Sequence, residues 1–368
     1  MRILVLNWRD LEHPRAGGAE VRLHNVYERL VKKGHEVTLL ATLFEGASKK
    51  SQSNGMRILR MGKDWNFPFL CLLKLPKLIQ EFNPDVVVED LNKLPMLSPW
   101  VCKKPLLIQM HHLWGKSIFR ESSIIAAFIV WLSEQSIPFL YKKLPFCVVS
   151  PSTHDELADL GIPRKNTEVI YNGTDLEFYQ PAMVEKENFI LWLSRVQKYK
   201  GIDTAVAAFQ ELLKTHPEMK LKIAGDGPYL EAVQKNVAEL GLQDSIDFLG
   251  FIGKEQKRDL LQRAVCLWQT SYKEGWGLTV TEAGACGCPV IANNAPGLKD
   301  SVRVGKNGML YDFGDTISLV KCTKELLNST ELQKQLQKGG IEWTKQFTWS
   351  NAADQTEDLL ERVIGIER

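Results

Sequence analysis

Apolar runs of strand length alternate with helical patterns along this chain, in two successive cycles. In the first cycle Ile3–Leu6, Val37–Ala41, Ile58–Met61, Val86–Val88, Leu106–Gln109 and Phe146–Val149 read as strands. Amphipathic helices lie between several of them; Ala19–Lys33, for example, gathers Val21, Val26, Leu30 and Val31 near one face. The rhythm breaks into turn residues around Asn172-Gly-Thr-Asp and a charged stretch, Glu185 to Asn188. It resumes with Phe189–Leu193, Lys220–Ala224, Ile246–Leu249, Val265–Trp268, Val290–Ala292 and Met309–Tyr311, and Trp349 to Ile366 forms one long helical pattern. Repeated strand–helix units imply parallel sheets with helices on both faces. The expected class is therefore α/β, with two Rossmann-like doubly wound domains, whose ligands bind beyond the carboxyl ends of the strands.

A length of 368 residues is long for one such domain and natural for two. At 44% hydrophobic and 24% charged, the composition excludes disordered and fibrous classes. A net charge of +2 argues against a nucleic-acid partner held by bulk electrostatics. The charge is uneven, however: residues 1–170 carry 23 Lys+Arg against 17 Asp+Glu, and the remainder 23 against 27. Seven cysteines without metal-ligand spacing point to reduced thiols and a cytoplasmic protein, with Cys286 and Cys288 as packing residues. Met1 to Asn7 reads as a first strand rather than a signal sequence.

Chemistry concentrates in Glu274-Gly-Trp-Gly-Leu-Thr-Val-Thr-Glu282, where two carboxylates flank a glycine-punctuated turn. Gly275 and Gly277 mark a loop whose bare backbone can approach a ligand. A helix opening at Leu278 or Thr279 would offer free amides to an anion. Hydroxyl-binding carboxylates on either side of an anion site suit a nucleotide-sugar. The same residues also spell a capping box, Thr279-x-x-Glu282, in which Glu282 would only satisfy its own helix. Arg195 and Lys200 follow the first strand of the second cycle, where a phosphate-facing loop belongs; the alternative is a solvated basic loop that includes Lys198. No Asp-x-Asp pair occurs, so no metal site is expected, and a departing diphosphate would have to be met by cations and backbone dipoles. Gly17-Gly18 opens a helix after the first strand without forming a dinucleotide fingerprint, and His111 ends another strand with His112 beside it. Glu89 and Asp90, at a strand end, suit either acceptor contact or solvated loop charges.

The paired glutamates and the small-residue helix running through Gly284-Ala-Cys-Gly-Cys-Pro-Val-Ile-Ala292 resemble the signature of the retaining glycosyltransferases of family four, glycosyl transferases group 1. The resemblance extends over most of the chain and is strongest in its second half. It implies the GT-B fold, with two domains facing across a cleft and a C-terminal helix crossing back to the first. The implied division is an acceptor-binding domain 1–171, a linker 172–187, a nucleotide-sugar domain 188–346 and a returning helix 347–368. On the same resemblance Arg195 and Lys200 grip the donor pyrophosphate, helped by amides of Gly277, Leu278 and Thr279. Glu274 would hold the transferred sugar and Glu282 the ribose. Gly225 belongs to a turn beside the nucleotide, and Phe251-Ile252 read the base through backbone groups. The Gly17-Gly18 loop closes over the phosphates, and His111 contacts the donor sugar. The chain departs from the usual pattern at Trp276 for phenylalanine, Thr279 for proline and Cys288 for threonine, and Trp276 bears on which sugar is taken.

The implied reaction moves a hexose from a nucleoside diphosphate sugar, UDP favoured, to a hydroxyl of a glycan, glycolipid or small molecule, with retention. The donor is a substrate, and no cofactor is required. Two alternatives stand: a nucleotide-sugar epimerase of the same fold, and an inactive sugar-nucleotide-binding protein. Trp65, Phe67 and Trp114 suggest an aromatic platform for an acceptor. Ile124 to Leu132 is apolar on all sides and flanked by Arg120, Lys142 and Lys143. It is either a buried helix or a surface that lies on an anionic membrane, with the protein peripheral on the inner face.

Overall fold

The computed structural model describes residues 1–92, 94–121 and 123–366, and it divides into two compact units. The first comprises residues 1–173 and 349–368, the second residues 174–348.

The first unit holds an eight-stranded sheet of β1 (Arg2–Leu6), β2 (Glu36–Thr42), β3 (Lys50–Ser53), β4 (Met56–Met61), β5 (Val86–Asp90), β6 (Leu106–Met110), β7 (Phe146–Val148) and β8 (Thr167–Val169). Its order is β3-β4-β2-β1-β5-β6-β7-β8, parallel except for the β3–β4 pair. β3 and β8 are absent from the strand pattern read in the sequence. β3 is Lys-Ser-Gln-Ser, an exposed edge without an apolar face, joined to β4 through Asn54 and Gly55, both at positive φ. That Asn-Gly turn is the available signal for the hairpin.

The last helix, Trp349–Ile366, folds with this unit. It buries Ala352, Ala353, Thr356, Leu359, Leu360 and Val363, a helical stripe. At its rim Lys33 bonds Asp354 at 2.5 Å and also Glu357, and His35 Nε2 meets Glu357 at 2.6 Å.

The second unit holds six parallel strands: β9 (Phe189–Leu193), β10 (Lys220–Ala224), β11 (Ile246–Gly250), β12 (Cys266–Gln269), β13 (Val290–Asn293) and β14 (Gly308–Tyr311). Their order is β11-β10-β9-β12-β13-β14. β9 explains why the strand reads as an unbroken apolar run. Ile190 and Trp192 join one core with Phe209 and Ile223, while Phe189, Leu191 and Leu193 join another with Leu267 and Val290. Both faces of the sheet are covered at this central strand, so β9 is apolar on both sides. Cys286 and Cys288 pack in the second of these cores, and all seven cysteines are free.

Candidate active site

In the second unit the sheet order reverses at β9, with β10 on one side and β12 on the other. Doubly wound sheets take ligands outside the strand ends at such a reversal. Both loops leaving those strands carry charge.

The loop after β9 lies against the Gly225–Pro228 turn after β10. Ser194 N–H donates to the Ala224 carbonyl at 3.1 Å and Val196 N–H to that of Asp226 at 2.9 Å. Gly225 sits at φ +137, and a Cβ there would overlap the Ser194 carbonyl. Only glycine lets the two backbones stack this closely. Arg195 stands exposed on top. The turn Lys198–Lys200 then ends at Gly201, whose missing Cβ would strike the Thr270 carbonyl just beyond β12.

This close approach places Lys200 beside the β12 loop, where its Nζ donates to Glu274 Oε1 at 2.5 Å. The same oxygen accepts from Ser271 Oγ at 2.7 Å. Burial pulls the Lys200 pKa down, but the Glu274 carboxylate outweighs it, so the ammonium titrates above its ordinary value and stays cationic. Arg195 is near enough to oppose that charge. The loop is pinned from below: Glu274 N–H donates to the Pro296 carbonyl at 3.1 Å, and Asn293 Nδ2 to that of Ser271 at 3.1 Å.

The helix Leu278–Ala285 starts from Gly277 at φ +85 with no side-chain cap, so its first amides lack partners within the helix. Thr279 Oγ1 accepts from Gln269 Nε2 at 2.7 Å, and that amide also reaches the Leu193 carbonyl at 3.2 Å, which ties the helix start to β9. The capping box does not form. Glu282 Oε1 instead accepts from Lys257 Nζ at 2.7 Å, and the Tyr179 phenol lies against the same carboxylate. Burial, and then the Glu282 carboxylate, push the Tyr179 phenol upward. Gly225 N–H bonds the Gly250 carbonyl at 2.7 Å, and just past it Phe251 is exposed and Ile252 half-buried.

The structure thus gathers Arg195, Lys200, Gly225, Glu274, Gly277, Leu278 and Thr279 around one sheet reversal. Glu282 lies one turn along, and Phe251 and Ile252 follow the adjoining strand end. Ser271, Gln269 and Lys257 escaped the sequence reading because their partners are distant or depend on how loops stack.

Gly17, Gly18 and His111 belong to the first unit. Gly17 precedes the helix Gly18–Lys32, and its N–H donates to Glu20 Oε2 at 2.6 Å. His111 follows β6; its Nε2 lies 3.0 Å from Asp90 Oδ2, both side chains being buried, and its carbonyl accepts from Thr153 Oγ1. β5 lies between β1 and β6, so the glycine loop, Asp90 and His111 share one sheet edge.

Several side chains are placed differently from expectation. Glu89 is neither a surface charge nor open to an acceptor: its oxygens accept from Met96 N–H at 2.8 Å, Tyr141 Oη at 2.9 Å and Ser98 Oγ. Burial raises its pKa against those bonds. Asp90 is equally enclosed. Phe67 is core, whereas Trp65 is exposed. Trp276 is buried edge-on against Phe347 at 5.0 Å, so its bulk goes into packing. Ile124–Gln135 is not a buried helix, because Ile124, Ile125, Phe128, Ile129 and Leu132 are all exposed.

Residues 174–343 match the family described as glycosyl transferases group 1, and residues 16–178 match glycosyltransferase family 4. The chain is 24% identical to alpha-monoglucosyldiacylglycerol synthase of Streptococcus pneumoniae, over 82% of this chain and 74% of that protein. Its fold is similar to that of sucrose-phosphate synthase from Thermosynechococcus elongatus (TM-score 0.84, 22% identity, 99% of each chain covered). It is also similar to Anabaena HepE in complex with UDP-glucose (TM-score 0.79, 18% identity, 98% of this chain and 100% of that one).

Proposed function

Since this chain belongs to the family 4, group 1 glycosyltransferases and is an enzyme of that kind, we propose that it transfers a hexose from a nucleoside diphosphate sugar, UDP favoured, to an acceptor hydroxyl with retention. The observation that carries this reading is the Lys200–Glu274 pair beside exposed Arg195 at the β9/β12 reversal. Arg195, Lys200 and the amides of Gly277, Leu278 and Thr279 are assigned to the diphosphate. Glu274 takes hydroxyls of the sugar, and Glu282 takes those of the ribose. Gly225 gives the nucleotide room, and the Phe251-Ile252 backbone takes the base. From the first unit, His111 is assigned to the donor sugar and the Gly17-Gly18 loop to the phosphates.

The bond from the anomeric carbon to the diphosphate oxygen breaks as the acceptor oxygen attacks the same face. The acceptor proton passes to the departing phosphate oxygen. No protein nucleophile or metal takes part in this scheme. Pre-placed cations and amides stabilise the charge that grows on the leaving group. Glu282→Ala and Arg195→Ala should each cut transfer from a UDP-sugar sharply while the protein stays folded. Wild-type rates in both would remove the donor-site assignment. Incubation with donor alone separates transfer from epimerisation, since only an epimerase alters the sugar without an acceptor.

The acceptor reading extends to a membrane. Ile124–Tyr141 is long and apolar enough to cross a bilayer, yet only 22% of it is buried. With Phe139 exposed at 88% and Lys142 and Lys143 beside it, this stretch suits peripheral docking on anionic lipid from the cytoplasmic side. A lipid-linked acceptor would be met there, and the Streptococcus relative is named for a diacylglycerol product. Flotation with anionic liposomes tests this; no binding at low salt would end it.

A further inference from the structure

We propose that Asp90 is a positioning residue for His111, which presents the bare Nδ1 lone pair of that ring as a hydrogen-bond acceptor for a hydroxyl of the transferred sugar. The consequence for rate rests on the glycosyltransfer reading; the ring geometry does not.

The two carboxylates that end β5 point to opposite faces of the sheet, as successive strand residues must. Glu89 is fully committed to Met96, Ser98 and Tyr141. Among the described residues the Asp90 carboxylate bonds His111 Nε2, at 3.0 Å. A carboxylate accepts, so Nε2 must carry the proton, and in the neutral ring Nδ1 is then left without one. Asp90 Oδ1 is buried with no hydrogen bond, and so is Nε2 of Gln109, the residue directly across from it on β6. Both line a small cavity with Arg22, Tyr27 and Thr356, with room for about one water molecule. A bridging water there would join Asp90 to Gln109 and fix the carboxylate plane. Thr356 comes from the helix Trp349–Ile366, so that helix closes the back of the His111 support.

The test labels histidine with 15N in the full chain and reads the His111 tautomer at neutral pH. Wild type should show a protonated Nε2 and a bare Nδ1; a protonated Nδ1 overturns the proposal without any variant. Asp90→Asn should lose that fixed tautomer and lower kcat about tenfold or more, with the donor KM little changed and melting unaltered. An unchanged tautomer and kcat in Asp90→Asn also overturns it. Gln109→Leu should show a smaller fall in kcat, and none would remove the bridge. If wild type turns over no nucleoside diphosphate sugar, the transfer reading fails, while the tautomer still decides the role of Asp90.

Discussion

Each unit has a sheet reversal next to its first strand, and the two are furnished in opposite ways. In the second unit the β9/β12 loops keep Arg195 exposed and hold Lys200 and Glu274 together at a partly open position. In the first unit the corresponding carboxylates, Glu89 and Asp90, are withdrawn into the sheet. The charges of its first loop are paired locally: Arg9 and Arg15 with Asp64, and Asp10 and Glu12 with Arg60 of β4. One reversal leaves a cation exposed beside a partly open ion pair, while the other encloses its carboxylates and ties its charges into local pairs.

The largest effect that would break this contrast is on activity. Lys200→Ala should lower kcat/KM roughly 10²–10³-fold, the range for removing one charge-stabilising group. Arg15→Ala, which leaves Asp64 paired with Arg9, should lower kcat/KM far less. Equal losses in steady-state assays would mean that Arg15 bears on the reaction as heavily as Lys200 and that the contrast is wrong.

Next comes backbone stacking. Gly225→Ala must push the Ser194 loop away and should cost about 2–4 kcal/mol, read by urea unfolding. Gly34→Ala, also at positive φ but facing open space, should cost only about 1 kcal/mol.

A smaller effect appears with pH. Burial raises the folded pKa of Glu89 above 4.5, so the native state holds this proton more tightly than the unfolded chain does. Stability from this group therefore falls as pH rises through that interval. The melting-temperature gain of Glu89→Gln over wild type should grow from about pH 4 to about pH 7. A constant difference would mean that its donors fully compensate burial.

The smallest concerns the rim. Lys33→Ala removes two part-exposed ion pairs to the last helix and should cost about 0.5–1 kcal/mol in thermal melts, less at high salt.

The strand pattern of the second unit was readable because its strands are mostly apolar, and β9 is so throughout. Lys-Ser-Gln-Ser at β3 has no such signature, since an edge strand can face water. The loops bearing Arg195, Lys200 and Glu274 were located by strand ends, a local signal. The Asp90–His111 and Lys257–Glu282 pairs were not, because each joins segments made neighbours only by tertiary packing. The apolar character of Ile124–Gln135 was plain, but whether anything covers it depends on the rest of the fold.

The return of Trp349–Ile366 to the first unit has a consequence for biogenesis. The second unit is one continuous segment and can complete itself as it leaves the ribosome. The first cannot, although almost all of it is synthesised earlier, because part of its sheet stays uncovered until the final helix emerges. The unit begun first is therefore the one whose residues are completed last, with its apolar face awaiting a partner while the other half is being made.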